Sequence, residues 1–203
     1  MNNSYPCDSR SHLKRAHELL NEGELSALFY VAFELRCGIE SRLQEYLEVA
    51  EEISEKKKQG WQIAKLNKNL ERAFKIGDRV VEIIIEHPQI DGVCKIFYTP
   101  VSATLRKQAQ QLGDYLHVMK VHRPPTDKWW DSFRELLQAT CDELAIATRG
   151  IMLGPPIVSP DRKSMKTHFQ SGVYPEIDEV LKKIGKIGER AKLSINYLDK
   201  LPA

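Results

Sequence analysis

Long apolar runs are missing from this sequence. The longest, Ala27 to Phe33, falls far short of the roughly 20 residues that a membrane-spanning helix needs, so no membrane span is expected. Cysteine is sparse. Cys7, Cys37, Cys94 and Cys141 stand far apart, and none forms a Cys-x-x-Cys pair. That spacing argues against a zinc or dithiol motif, and a reduced, cytoplasmic chain is expected. The opening stretch MNNSYPCDSRSH has no apolar h-region, so a secretory signal is not expected either. An excess of one charge is also lacking: 30 Lys and Arg face 28 Asp and Glu, a net +2. Bulk charge therefore gives no argument for nucleic acid, although a local site stays open.

Strong local signatures of catalysis are absent too. There is no Gly-x-x-x-x-Gly-Lys phosphate loop, Gly-x-Gly-x-x-Gly turn, His-Glu-x-x-His helix or Gly-x-Ser-x-Gly elbow. The six histidines include His117 and His122, five apart across a helix end, which is a poor arrangement for a metal. No cofactor and no metal are expected.

What the 203 residues do carry is helical periodicity. Leu13, Ala16, Leu19 and Leu20 give one stripe that Gly23 stops. From Leu25, apolar residues at three-and-four spacing (Leu28, Phe29, Ala32, Phe33, Leu35, Ile39, Leu43, Tyr46 and Leu47) mark a long second helix. A third helix is predicted from near Trp61 to just before Pro88. Its β-branched run Val80 to Ile85 could instead be a strand, but continuity with the pattern upstream favours helix. Residues Ile90 to Thr99 read as a short strand or a packed loop. Helix resumes at Pro100 with Val101, Leu105, Ala109, Leu112 and Leu116 on its buried face. Another follows the turn at Pro124–Pro125 and buries Trp130, Phe133, Leu137, Cys141 and Leu144.

The expected fold is an all-α bundle of five or six helices, two of them long and antiparallel. It spans residues 1–153, with a linker or extended loop at 154–174 rich in Pro, Ser, Lys and Gly. Residues 175–203 form a C-terminal helix, with Ile177, Val180, Leu181, Ile184, Ile195 and Leu198 toward one side, packing on the bundle or a partner.

Residues Leu25 to Leu47, with Ala32-Phe33-Glu34-Leu35-Arg36 running into Gly38-Ile39-Glu40, resemble the long second helix of HEPN-type proteins. Leu19 to Gly23 fits the preceding hairpin, and Leu112-Gly113-Asp114-Tyr115-Leu116-His117 is similar to a later helix of some members. The resemblance covers about residues 10 to 120. It implies a helical bundle of the kind found in prokaryotic defence and toxin–antitoxin systems, pairing as a homodimer, with RNA as the substrate of its ribonuclease members. Those ribonucleases resemble one another in a helical Arg followed by His after four to six residues. Here Arg10–His17 and Arg162–His168 meet that spacing, one at a helix start and one in the linker. Upstream of His117 the corresponding positions are Gln110, Gln111 and Leu112.

Two function classes follow. One is a non-catalytic interaction or regulatory protein. The other is a metal-independent ribonuclease with an atypical site. Its acid–base group would be His117, with Asp114 three residues before it on the same helix face and Arg106 two turns earlier to meet a phosphate. Against this stands the plainer reading of a solvated helix end. Arg36 and Glu40, four apart, read as an intrahelical ion pair or as part of a dimer contact. Trp129 falls off the apolar stripe that holds Trp130, so it is either a contact residue or a cover for a loop. Lys182, Lys183, Lys186, Arg190 and Lys192 make the C-terminal segment basic, either as a solvated face or as a docking helix for a protein partner.

Overall fold

The structure is a computed structural model that describes residues 5–60, 62–88, 93–117, 122–161, 164–187 and 191–202. Trp61, Ile90 and Arg162 lie outside the described residues. The chain divides into two compact units. One comprises the described residues up to Lys75 together with Val101–Thr148. The other comprises Ile76–Pro100 and the described residues from Arg149 onward.

The first unit is helical: α1 (Ser9–Glu22), α2 (Ala27–Val49), a single turn α3 (Glu55–Lys58), α4 (Ile63–Phe74), α5 (Ala103–Tyr115) and α6 (Trp129–Arg149). Asp8 starts α1 by accepting hydrogen bonds from the Arg10 and Ser11 amides at 3.1 and 3.0 Å. Ser102 does the same for α5 through the Leu105 amide, at 3.1 Å. On α2, residues Leu28, Val31, Ala32, Leu35, Ile39, Leu43 and Leu47 are buried, so that this helix forms the spine of the unit. Cys141 on α6 is a core residue, and burial, with Asp142 adding to it, pushes its thiol up to about 12. Like the other three cysteines, it is free.

Arginines tie these helices together. Arg42 of α2 is fully buried. Its Nε donates to the Ala147 carbonyl in the last turn of α6 at 2.9 Å, and its Nη1 donates to Glu45 at 2.8 Å. The carbonyls of a last helical turn have no partner inside their own helix and carry the negative end of its dipole, so a cation is well placed there. Arg134 of α6 repeats the device on α1, donating to the Gly23 carbonyl at 3.0 Å.

The second unit overturns the all-α expectation. It holds an antiparallel sheet in the order β2-β1-β5, built from β1 (Val80–Glu86), β2 (Val93–Tyr98) and β5 (Lys192–Leu198). Ile83 in the central strand faces Ile96 on one side and Ile195 on the other. A two-stranded hairpin of β3 (Ile157–Val158) and β4 (Met165–Lys166) and one helix, α7 (Pro175–Ile187), complete it. The predicted third helix therefore stops at Phe74. Lys75 adopts a left-handed conformation at φ 54° and Gly77 follows at φ 61°, which breaks the helix before the β-branched run begins. That run, Val-Val-Glu-Ile-Ile-Ile-Glu, suits a pleated surface between two neighbours. The predicted final helix likewise ends at Ile187, and Ile195 and Leu198 belong to β5. Glu82, buried in the sheet, receives a hydrogen bond from Asn196 at 2.8 Å and has Lys95 Nζ at 3.5 Å.

No helix among the described residues is long and apolar enough to cross a membrane.

Replacing Arg42 by Met keeps the volume but strips Glu45 and the Ala147 carbonyl of their buried cation. Losing one member of a buried, hydrogen-bonded pair costs about 3–5 kcal/mol. Urea melts of Arg42→Met should show a loss in that range, and a loss below about 1 kcal/mol would mean that this tie is dispensable.

Candidate functional site

The α5 sequence places Arg106, Lys107, Gln110, Gly113 and Asp114 at three-and-four spacing, so that they share one side of the helix, whereas His117, expected on the same helix face, lies two residues past its end at Tyr115. Beside them stand the opening residues of α4 (Ile63, Ala64 and Asn67, with Gln62 ahead of them) and Arg36 of α2. Together these line an open cavity of about 700 Å³ within the helical unit. The three site residues read from the sequence as an acid–base set, Arg106, Asp114 and His117, thus border one space. Arg36, read as an ion-pair or contact residue, borders it as well.

Arg36, Arg106 and Lys107 line the cavity together with the carboxylate of Asp114, while Glu40 and Glu71 pair with the two arginines from beside it. Gln62, at the N-cap of α4, makes no side-chain capping bond, so the positive end of that helix adds to the field. Both arginines are anchored. Arg106 Nη2 lies 3.2 Å from Glu71 Oε1, and its Nη1 donates to the Val101 carbonyl at 2.6 Å. Arg36 Nε lies 3.2 Å from Glu40 Oε1, and its Nη1 donates to the Ala109 carbonyl of α5 at 3.1 Å. Burial pushes the Glu40 carboxyl up, against the pull of the Arg36 charge and hydrogen bond. Lys107, Asp114 and His117 are exposed, and among the described residues the side chains of Asp114 and His117 have no hydrogen-bonding or ionic partner. Asp114 therefore shares the cavity wall with His117 without holding its ring.

Trp129 sits elsewhere, in an aromatic cluster. Its ring is 4.9 Å from Phe133, 5.0 Å from Trp130 and 5.6 Å from Tyr115, and the Arg123 guanidinium lies 4.7 Å over it. It is half-buried by these partners.

A second polar cluster, between α1 and α2, escaped the sequence reading. Glu34, only 7% exposed, accepts hydrogen bonds from the Tyr5 hydroxyl at 2.9 Å and from His12 Nδ1 at 2.7 Å, and pairs with Arg15 Nη2 at 3.0 Å. With the proton on Nδ1 and both groups aimed at one carboxylate, the 2.8 Å approach of Arg15 Nη2 to Nδ1 is a contact between two donors. Arg15 also lies 4.2 Å over the Tyr5 ring. The available signal was Glu34 itself: a carboxylate among Val31, Ala32, Leu35 and Gly38 on the apolar face of α2 has to have partners. Every member of this cluster is engaged by another, which suits a structural clasp for the segment before α1. Among the described residues, no group of three or more His, Cys, Asp or Glu stands together as metal ligands.

Burial alone would raise the Glu34 carboxyl. The hydrogen bonds from Arg15, His12 and Tyr5 outweigh it and hold the group below its usual 4.5. A carboxyl depressed by folding contributes stability that is complete above the usual value and is lost as pH falls through the folded one. Acid melts should therefore show the parent losing stability below pH 4.5 more steeply than Glu34→Gln. At neutral pH the Gln variant should be about 1–3 kcal/mol less stable. Parallel acid limbs for the two proteins would remove the clasp.

Comparisons with protein-family models, with curated proteins and with solved structures find no match to this chain.

Proposed function

We propose that this chain is a non-catalytic interaction or regulatory protein whose helical unit holds single-stranded RNA by its phosphate backbone in the α2/α4/α5 cavity. One observation carries the reading: Arg36, Arg106 and Lys107, drawn from two helices, line the same open space, the two arginines held in place by Glu40 and Glu71 and Lys107 exposed. Phosphates are gripped by such fixed guanidinium and ammonium groups, and the grip weakens with salt as counterions are released. A near-neutral chain with one local basic concavity fits a modest, salt-sensitive ligand site better than a dedicated nucleic-acid binder.

The second reading is RNA cleavage. The placement of His117 and Asp114 on the wall beside Arg106 favours it, because an imidazole there could move a proton on a 2′-hydroxyl while a guanidinium steadies the phosphate. The missing hydrogen bond between Asp114 and His117 ranks this reading below the first.

Fluorescence anisotropy with a labelled oligoribonucleotide, followed by a gel of the same sample, separates the two. The expected outcome is binding without cleavage, weakened about 5- to 10-fold by Lys107→Ala, an exposed cavity residue whose loss should leave the melt unchanged. Absence of binding at low salt rejects the proposal. Cleavage by the parent that falls about 10²- to 10⁴-fold in His117→Ala brings the second reading forward.

The same reading includes self-pairing. Tyr30 and Phe33, one turn apart on α2, are 65% and 53% exposed, and Cys37 continues their strip. Exposed large apolar side chains in a row favour a protein contact. A docking role for α7 rests on the half-exposed Ile177, Val180, Leu181 and Ile184. Light scattering at micromolar concentration should give twice the 23.3 kDa chain mass, reduced to the single mass in Phe33→Glu. A parent that scatters at 23.3 kDa ends the dimer proposal.

A further inference from the structure

We infer that Gly113 is a positioning residue, present so that the guanidinium of Arg36 can lie across α5 and serve as a fixed oxyanion fork in the cavity. This rests on the phosphate-binding reading above and adds how the site is preset for its ligand.

A glycine inside a helix carries a cost. Gly113 lies within α5, where a glycine weakens a helix relative to alanine, and its backbone does not take up the left-handed conformation that would require it. The reason for it is therefore spatial. A Cβ placed at this position would overlap Arg36 Nη1 and come within 3.3 Å of Arg36 Cζ. The bare face at Gly113 is the slot in which the guanidinium rests.

Two anchors hold it there. Arg36 Nε is 3.2 Å from Glu40 Oε1 on its own helix, and Nη1 donates to the Ala109 carbonyl, one turn before Gly113 on α5. A guanidinium has five N–H hydrogens in one plane. These two partners engage the Nε hydrogen and one on Nη1, leaving a hydrogen on Nη1 and the Nη2 pair for a ligand. Two adjacent, parallel N–H groups match two oxygens of one phosphate. A group already held in its binding geometry loses little freedom when the ligand arrives. A phosphodiester, with two non-bridging oxygens, is the ligand chemistry that this fork fits.

The obstacle created by a Cβ is the end of a flexible side chain rather than backbone. Gly113→Ala should therefore keep the fold while driving Arg36 out of its slot. This separates positioning from stability. In the test, Gly113→Ala, Arg36→Ala and the double variant are compared with the parent in RNA anisotropy across a salt series and in thermal melts.

The expected result has three parts. Gly113→Ala weakens binding about 10-fold, the scale of one lost charge-assisted bond, with a Tm within about 4 °C of the parent. Its slope of log K against log salt falls by about 0.7, the value of one phosphate contact on a single strand. Arg36→Ala shows the same loss and the same slope, and adding Gly113→Ala to it changes binding less than about 2-fold, because the fork is already gone. Unchanged binding and salt slope in Gly113→Ala would overturn the inference. So would an equal further loss when it is added to Arg36→Ala. A parent that binds no RNA at low salt instead rejects the phosphate-binding reading, and this inference with it.

Discussion

The helical unit depends on guanidinium groups reaching from one helix to the backbone carbonyls of another. Arg42 does this from the spine helix to the end of α6, Arg134 from α6 to the end of α1, and Arg36 from the spine to α5. At the first two places the carbonyl belongs to a helix end that cannot satisfy it internally. The end of α6 is buried, and that burial becomes tolerable because a charged donor meets it. Apolar packing brings helices together without specifying their register along the axis. A directed hydrogen bond from a side chain of fixed length does specify it.

The two polar clusters of this unit show opposite uses of similar groups. Around Glu34, the phenol, imidazole and guanidinium all turn inward on one carboxylate, and little charge is left to meet a ligand. Around the α5 cavity, the arginines are anchored by Glu40 and Glu71, while Lys107, Asp114 and His117 remain exposed to solvent. Anchoring fixes where the cations stand without closing the space between them.

Spacing along one helix was readable in the sequence, and it put Arg106 and Asp114 on a single face of α5; His117 borders the same cavity from beyond the helix end. Arg36 was read as a separate ion-pair residue because its place at the same cavity arises from a contact 73 residues away. Periodicity describes one helix and carries no information about which helices meet. Glu34 was legible as an anomaly on an apolar face, but its partners come from α1 and the segment before it. The strands were harder still. The run Val80 to Ile85 is apolar enough for either structure, and the decision for strand comes from Lys75 and Gly77 ahead of it and from pairing with two distant segments. In β5, the alternation of Leu193, Ile195 and Tyr197 is a strand signal that the helical pattern of α7 masked.

The sheet order β2-β1-β5 also has a consequence in time. Glu86 of the central strand is joined to Lys192 across a separation of 106 residues. At about 5–20 residues per second on a ribosome, β1 would wait on the order of 5–20 s for its second neighbour. During that interval the strand, with Val81, Ile83 and Ile85 along it, has one open edge, the kind of edge that pairs with foreign strands. The hairpin with β2 and the helices of Val101–Thr148 can all form in that time, before β5 is available to pair. The newborn chain is most exposed to aggregation, or to capture by a chaperone, at the central strand of the smaller unit.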